Sequence, residues 1–364
     1  CVTGGHVYPA LAIEQELRAA DESAQIVFFG NADGLEASIV PNAGYALTFV
    51  PSKPLSRKAS LRTLLTAAEN ARGVLVALAR LARFRPDAVI ATGGYVCFPV
   101  VVAARVLRTL HLAAPVIGLL EPNAQAGLTA RLLAPLVDEI WAAYPNTLAR
   151  FGKKVTVTGV PVRAALRKAP RPWTARRQLG LDPDRATVVV MGGSQGARTI
   201  NEAVAALVTR RRLPDNWQVL HLCGQRDYDY MLAEQRDLLE GNHVKLLPYL
   251  DDPSAAYAAA DVVVARAGAS TLAELAATGS PSILIPYPHA TGDHQRKNAQ
   301  AFVDAGAARV INDAELSGDA LWWVLLELFQ EDRLTAMRTA AAQMAPRNAA
   351  ALIVERVRAL AVRG

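Results

Sequence analysis

Short apolar runs rich in Val, Ile and Leu recur along the chain. They alternate with longer stretches in which apolar residues return every three to four positions. In the first half the runs fall at 26–29, 88–90, 115–119, 139–142 and 155–158. In the second they fall at 187–191, 218–222, 244–247, 261–264, 282–285 and 309–311. None alternates strictly between apolar and polar, so each reads as a strand buried on both faces of a parallel sheet. Strand and helix patterns taking turns in this way predict an α/β fold with doubly wound sheets. Helix patterns cover 9–20, 61–84 (with a bend at Gly73) and 348–362. From 161 to 173 the pattern breaks into a basic stretch punctuated by Pro161, Pro170 and Pro172, which reads as a linker between domains 1–162 and 163–364. The turn at 3–6 should follow a strand, yet only Cys1 and Val2 precede it. A central strand of the first sheet is therefore expected and not supplied.

Composition sharpens this picture. A chain of 364 residues suffices for about two domains, and 52% hydrophobic with 20% charged residues is a folded composition. Three scattered cysteines, Cys1, Cys97 and Cys223, are too few for a disulfide framework or a zinc site and suit a reducing cytoplasm. No apolar run reaches the roughly 18 residues of a membrane span, and no signal peptide precedes the first motif.

The net charge of +6 points to an anionic partner, and its distribution narrows the choice. Between 51 and 86, Lys53, Arg57, Lys58, Arg62, Arg72, Arg80, Arg83 and Arg85 face one acid, Glu69. On a helix over 61–84, Arg62, Glu69, Arg72, Arg80 and Arg83 fall within an arc of about 80°. Leu64, Val74, Leu75, Leu78 and Leu81 occupy the rest. Such a helix suits an anionic membrane surface, although an ordinary surface helix has the same pattern. Few aromatic residues accompany the arginines, so a nucleic-acid stacking platform is not expected.

Glycine turns carry the candidate chemistry. Gly192-Gly193-Ser194-Gln195-Gly196 stands between a strand and a helix. There, free backbone N–H groups and the positive end of the helix can cradle a diphosphate. A second small-residue turn, 265–271, opens a helix in which Ser270 or Thr271 can cap and Glu274 can accept from two ribose hydroxyls. The loop 286–298 adds His294, Gln295 and Asn298, suited to sugar hydroxyls. In the first half, Thr3-Gly4-Gly5-His6 and Gly93-Gly94-Tyr95 could cradle another diphosphate, with His6 a candidate general base because imidazole titrates near working pH. No P-loop motif and no nicotinamide fingerprint occurs. Asp182 with Asp184, and Asp227 with Asp229, match a metal-binding pair by letters but read as solvated turns, so no metal and no other cofactor is expected.

The ordered set of these motifs resembles the MurG transferases of glycosyltransferase family 28. It comprises Thr-Gly-Gly-His at 3–6, Gly-Gly-Tyr-Val at 93–96, Glu121 to Asn123, Pro-Val-Arg at 161–163, Gly-Gly-Ser-Gln-Gly-Ala at 192–197, the turn ending in Glu274, and His294-Gln295 with Asn298. The resemblance implies a GT-B fold, two Rossmann-like domains facing across a cleft, with the last helix a candidate for packing back on the first domain. It implies metal-independent, inverting transfer of N-acetylglucosamine from UDP-N-acetylglucosamine to the C4 hydroxyl of undecaprenyl-diphospho-N-acetylmuramoyl-pentapeptide. That reaction belongs to peptidoglycan synthesis, at the cytoplasmic side of the inner membrane.

By resemblance, Thr3, Gly4, Gly5, Asn123, Arg163, Ser194, Gln195, Gly196, Tyr249, Leu250, Ala269, Ser270, Thr271, Glu274, Gln295 and Asn298 bind the donor. Gly93, Gly94 and Tyr95 face the acceptor, the turn at 3–6 approaches its diphosphate, and His6 lies near the reacting centre. Arg57, Lys58, Arg62, Arg72, Arg80 and Arg83 meet the membrane. The chain departs from the family at Cys1 and Val2, where two glycines are usual, at Leu120 and Pro122, and at Val160. The rival readings are a UDP-N-acetylglucosamine 2-epimerase, another lipid glycosyltransferase of the same fold, and a non-catalytic nucleotide-sugar-binding scaffold.

Overall fold

The computed structural model describes residues 1–54, 61–147, 151–193, 196–210, 213–234, 243–330, 332–344 and 348–362. The chain forms two compact units: Cys1–Arg163 with Arg347–Gly364, and Ala164–Pro346.

The first unit holds β1 (Phe28–Gly30), β2 (Leu47–Phe49), β3 (Ala88–Ala91), β4 (Val116–Glu121), β5 (Glu139–Ala142) and β6 (Val155–Val157). Its first helices are α1 (Val7–Ala20), α2 (Glu36–Asn42), α3 (Leu61–Phe84), α4 (Cys97–Thr109) and α5 (Leu128–Leu133). Strands β1 and β2 pair in parallel, and β3-β4-β5-β6 form a second parallel sheet. Residues 1 and 2 lie between the two sheets and bond to both. The Val2 N–H donates to the Phe29 carbonyl at 2.9 Å, the Cys1 amino group to the Ile90 carbonyl at 2.7 Å, and the Thr92 N–H to the Cys1 carbonyl.

The apolar runs lie in strands, as their lack of alternation requires. The short β2 has no such signal, being three residues on a half-exposed edge. Helix α3 runs continuously through Gly73. Glycine there answers a close approach, not a bend, because a Cβ would come within 2.1 Å of the Pro51 carbonyl oxygen.

The second unit holds α6 (Ala164–Arg167), α7 (Pro172–Gln178), β7 (Ala186–Met191), α8 (Arg198–Arg210), β8 (Trp217–Leu222), α9 (Tyr228–Glu234), β9 (Val244–Leu247) and α10 (Ser254–Ala259). It continues with β10 (Val262–Ala265), α11 (Ala269–Thr278), β11 (Ser282–Leu284), α12 (His294–Asp304), β12 (Ala308–Val310), α13 (Gly318–Leu328) and α14 (Arg333–Gln343). Its six strands form one parallel sheet in the order β12-β11-β10-β7-β8-β9. The proline-punctuated stretch 161–173 is partly helical: it contains α6 and the start of α7, where Pro172 costs no hydrogen bond at the first helical position. Trp322 packs as a tilted pair against Trp217 beside the core, whereas its neighbour Trp323 is 63% exposed.

After α14 the chain returns to the first unit as α15 (Ala349–Ala361), begun by the Asn348 side chain accepting from the Ala351 N–H. Its Ile353, Val354 and Val357 pack on Ile13, Leu120 and Trp141, each burial worth about 1.5–3 kcal/mol. Arg356 donates to the buried Glu139 carboxylate at 2.9 Å, and Trp141 donates its indole N–H to the same group. Among the described residues no helix is long and apolar enough to cross a membrane.

Candidate functional site

In the second unit the strand order reverses between β7 and β10. Parallel sheets bind ligands beyond the carboxyl ends of strands at such a switch point. Met191 and Ala265 are paired neighbours there, and the two glycine turns singled out above leave the sheet directly after them. Topology thus sets the 192–196 turn beside the turn opening α11.

The first turn is tight, the Gly196 N–H donating to the Gly193 carbonyl at 3.0 Å. Its glycines do different things. A Cβ on Gly192 would strike the Ala197 nitrogen at 2.7 Å, and one on Gly196 the Cys223 carbonyl oxygen at 2.3 Å. Those two are required by packing within the protein. Gly193, at φ +80°, is the one of the three that faces open space. Asn201 of α8 holds the facing loop, donating to the Cys223 carbonyl and to Asp227, while the buried His221 bonds its amide oxygen. Asp227 is therefore a tied acceptor, not a solvated turn residue. Ser194 and Gln195 lie outside the described residues.

At the second turn the N-cap of α11 is Gly268 and makes no side-chain cap. Ala269, Ser270 and Thr271 are its first helical residues, which corrects the expectation that Ser270 or Thr271 caps. Glu274, in the second turn, accepts from the hydroxyl of the buried Tyr257 at 2.9 Å. That bond orients the carboxylate, and Tyr257 was not legible as a partner from its place in α10.

Tyr249 and Leu250 follow β9 and are half-buried. Helix α12 begins at His294, so the last residues of the stretch read from sequence as the loop 286–298 form its first turn. Gln295 accepts from the Tyr287 N–H at 2.9 Å, and Asn298 is buried. The chain enters α12 through left-handed backbone at Gly292 and at Asp293, φ +60°, a conformation that an aspartate adopts at some cost. Arg266 ties these loops together, donating to Asp313, to Thr199 and to the Ile285 carbonyl.

In the first unit the turns at 3–6 and 93–96 interlock. Gly4 to His6 form one turn of 3-10 helix leading into α1. Gly93 and Gly94 have φ of +117° and +86°. A Cβ on Gly93 would lie 2.6 Å from His6 Nδ1, and one on Gly94 would lie 2.5 Å from Thr3 Cβ. Thr3 Oγ1 accepts from the Val96 N–H, and Thr92 Oγ1 donates to the His6 carbonyl at 2.9 Å. Burial pushes the His6 imidazole down to about 4, against a hydrogen bond to the Thr92 backbone and the nearby Glu36 carboxylate. The ring is neutral at working pH and more weakly basic than its residue type suggests. Burial, with Glu36 and Asp33 nearby, pushes the Tyr95 phenol up.

Three further residues of this unit complete the picture. Asn123 follows β4 and donates from its backbone and side chain to Glu121 Oε1, both at 3.0 Å. Burial raises the Glu121 carboxyl despite these bonds and one from the Gly127 N–H. The Arg163 guanidinium lies 4.6 Å from the Tyr8 ring centroid, a cation–π stack. Glu36 is the residue that sequence reasoning missed: fully buried, it accepts from the Gly4 N–H, yet an acid after a Gly-containing loop looks like any helix-start acid.

The arginine-rich helix is only partly described. Arg57 and Lys58 lie outside the described residues, as does the side chain of Arg62. Arg72, Arg80 and Arg83 are exposed. The leucines do not share one environment as expected: Leu81 is buried and Val74 and Leu78 are half-buried, while Leu64 and Leu75 are 67% and 68% exposed. Among the described residues no group of three or more His, Cys, Asp or Glu could hold a metal ion.

Comparisons agree with this arrangement. The glycosyltransferase family 28 N-terminal domain matches residues 2–142 and its C-terminal domain residues 187–355. A UDP-N-acetylglucosamine--N-acetylmuramyl-(pentapeptide) pyrophosphoryl-undecaprenol N-acetylglucosamine transferase from Moorella thermoacetica is 40% identical over 97% of this chain and 95% of its own. The crystal structure of Acinetobacter baumannii MurG superposes with a TM-score of 0.74 at 25% identity, covering 98% of this chain and 96% of that one. A Listeria monocytogenes structure described as a UDP-N-acetylglucosamine 2-epimerase reaches 0.66 at 14% identity, covering 99% and 94%, and so shares the fold alone. The fold is GT-B, and the chain belongs to glycosyltransferase family 28, among its MurG transferases.

Proposed function

We propose that the protein transfers N-acetylglucosamine from UDP-N-acetylglucosamine to the C4 hydroxyl of undecaprenyl-diphospho-N-acetylmuramoyl-pentapeptide, inverting the anomeric carbon. The observation that carries this reading is the pair of glycine turns at the switch point of the second unit, with an oriented Glu274 in the helix after the second turn. Likeness to transferases of that name over nearly the whole chain, at 40% identity, supplies the substrates. Tyr249 and Leu250 hold uracil, Glu274 the ribose, and Gln295 with Asn298 the sugar. The new bond joins the acceptor oxygen to the anomeric carbon while the bond to the UDP oxygen breaks. Negative charge growing on that oxygen meets the 192–196 turn and the positive end of α8. On the acceptor side, the turns at 3–6 and 93–96 hold the diphosphate. Neutral His6, or a water it binds, takes the hydroxyl proton. An acceptor anion beside the ring raises its basicity.

The measurement is UDP release with and without the lipid-linked acceptor. Release that depends on acceptor and persists in excess EDTA supports the reading. Conversion of the sugar nucleotide to its C2 epimer with no need of acceptor, with or without UDP release, replaces it with the epimerase. Binding of UDP-N-acetylglucosamine with neither UDP release nor epimerisation leaves the non-catalytic scaffold. Activity lost in EDTA and restored only by Mg²⁺ or Mn²⁺ overturns the metal-independent chemistry.

The protein works at the periphery of an anionic membrane, on the cytoplasmic side. Supporting this, exposed Leu64 and Leu75 lie on α3 within about 20° of one another on the helical wheel, and Arg72, Arg80 and Arg83 follow on one side.

A further inference from the structure

We propose that Glu36 and Asn31 form a brace that positions both acceptor-side glycine turns. Glu36 is a positioning residue, not a catalytic one, and the inference rests on the reading that these turns hold the acceptor diphosphate. The Glu36 carboxylate is fully buried, and each oxygen takes a backbone donor: Oε2 the Gly4 N–H at 2.8 Å, Oε1 the Asn31 N–H at 3.0 Å. The Asn31 side chain in turn donates to the Ser52 carbonyl at 3.0 Å and lies near the Tyr95 phenol, whose rise it opposes. One buried carboxylate is thus connected directly to the turn at 3–6 and, because Gly93 and Gly94 press against His6 and Thr3, through that turn to the one at 93–96.

The surroundings are shaped for that carboxylate. A Cβ on Gly34 would lie 2.2 Å from Glu36 Oε2, and one on Gly30 2.7 Å from its Cγ. Any side chain at either position displaces the acid. Burying a carboxylate is costly unless donors meet it, and a charged acceptor makes each N–H bond stronger than a neutral one would be. The Gly4 N–H is therefore committed to the protein. It anchors the turn, and ligand contact falls to the donors that remain. The same carboxylate lies close enough to His6 to favour its protonated form.

The test compares Glu36→Gln, Asn31→Ala and Gly94→Ala by steady-state kinetics with each substrate varied in turn, alongside thermal unfolding. Glu36→Gln should lower kcat/KM for the lipid-linked acceptor by about tenfold or more, the scale of a lost charged hydrogen bond. Asn31→Ala should lower it by several-fold, and both should leave KM for UDP-N-acetylglucosamine within about twofold. Gly94→Ala alters the turn itself and reports on the underlying reading. If it impairs acceptor use while neither brace variant does, the brace is overturned and the turn's role stands. If none of the three affects acceptor use, the turns do not hold the acceptor and the brace falls with them. Donor and acceptor constants declining together with a lowered unfolding temperature would reduce Glu36 to a stability element and also overturn the proposal. Should Glu36→Gln fail to fold, Asn31→Ala, which leaves the buried carboxylate and both backbone donors in place, decides alone.

Discussion

At residue scale the environment of a side chain overrides its type. His6 was legible as a polar residue after a glycine turn, but its protonation was not. Its imidazole titrates near 4 in the fold and near 6.5 in the unfolded chain, so between those values the unfolded chain binds a proton that the folded one refuses. Stability from this group is therefore full above about pH 6.5 and falls as the pH drops towards 4. Thermal unfolding as a function of pH should show this acid-side loss, diminished in His6→Gln. For the same reason kcat/KM should show no titration of His6 near 6.5 in the free enzyme. Glu274 makes a similar point. Its carboxylate was foreseen, while the hydroxyl of Tyr257 that orients it lies 17 positions earlier on another helix. Tyr257→Phe removes that bond without emptying the buried site. It should raise KM for UDP-N-acetylglucosamine by roughly fivefold, about 1 kcal/mol, with kcat little changed.

At the scale of elements, strands were the most legible feature. A strand covered on both faces needs a contiguous apolar run, and every run marked from sequence lies in a strand of the fold within a few residues. Helix faces were less legible. Periodicity puts Leu64, Leu75 and Leu81 of α3 in one apolar set, but α4 packs on only part of that face, so Leu81 is buried and the other two reach solvent. That split gives α3 exposed leucines beside its arginines. Wild-type protein should co-sediment with vesicles containing anionic lipid, and Arg72→Glu with Arg80→Glu and Arg83→Glu should abolish most of that binding, each charge being worth about 1 kcal/mol near the surface. Binding indifferent to anionic lipid or to the reversals would refute the membrane role of this helix.

At the scale of the whole molecule, the last helix belongs to the first unit. Arg356 and Glu139 stand 217 positions apart and meet because α15 packs its apolar face on α1 and β4. Arg356→Ala leaves Glu139 with Trp141 and Thr156 as donors, so a loss of roughly 1–3 kcal/mol is expected in urea unfolding, short of the cost of leaving a buried charge alone. The sequence by itself determined the α/β class, the two-unit organisation of its apolar runs and the positions of the glycine turns. These follow from local needs: a buried strand needs consecutive apolar residues, and tight turns with positive φ need glycine. Only the tertiary structure decided which glycine faces open space, which acid holds the first turn, how weakly basic His6 is and which leucines of α3 stay wet. Each of those depends on atoms brought together from distant parts of the chain, as when Glu36 meets Gly4 across 32 residues, and no local pattern encodes that meeting.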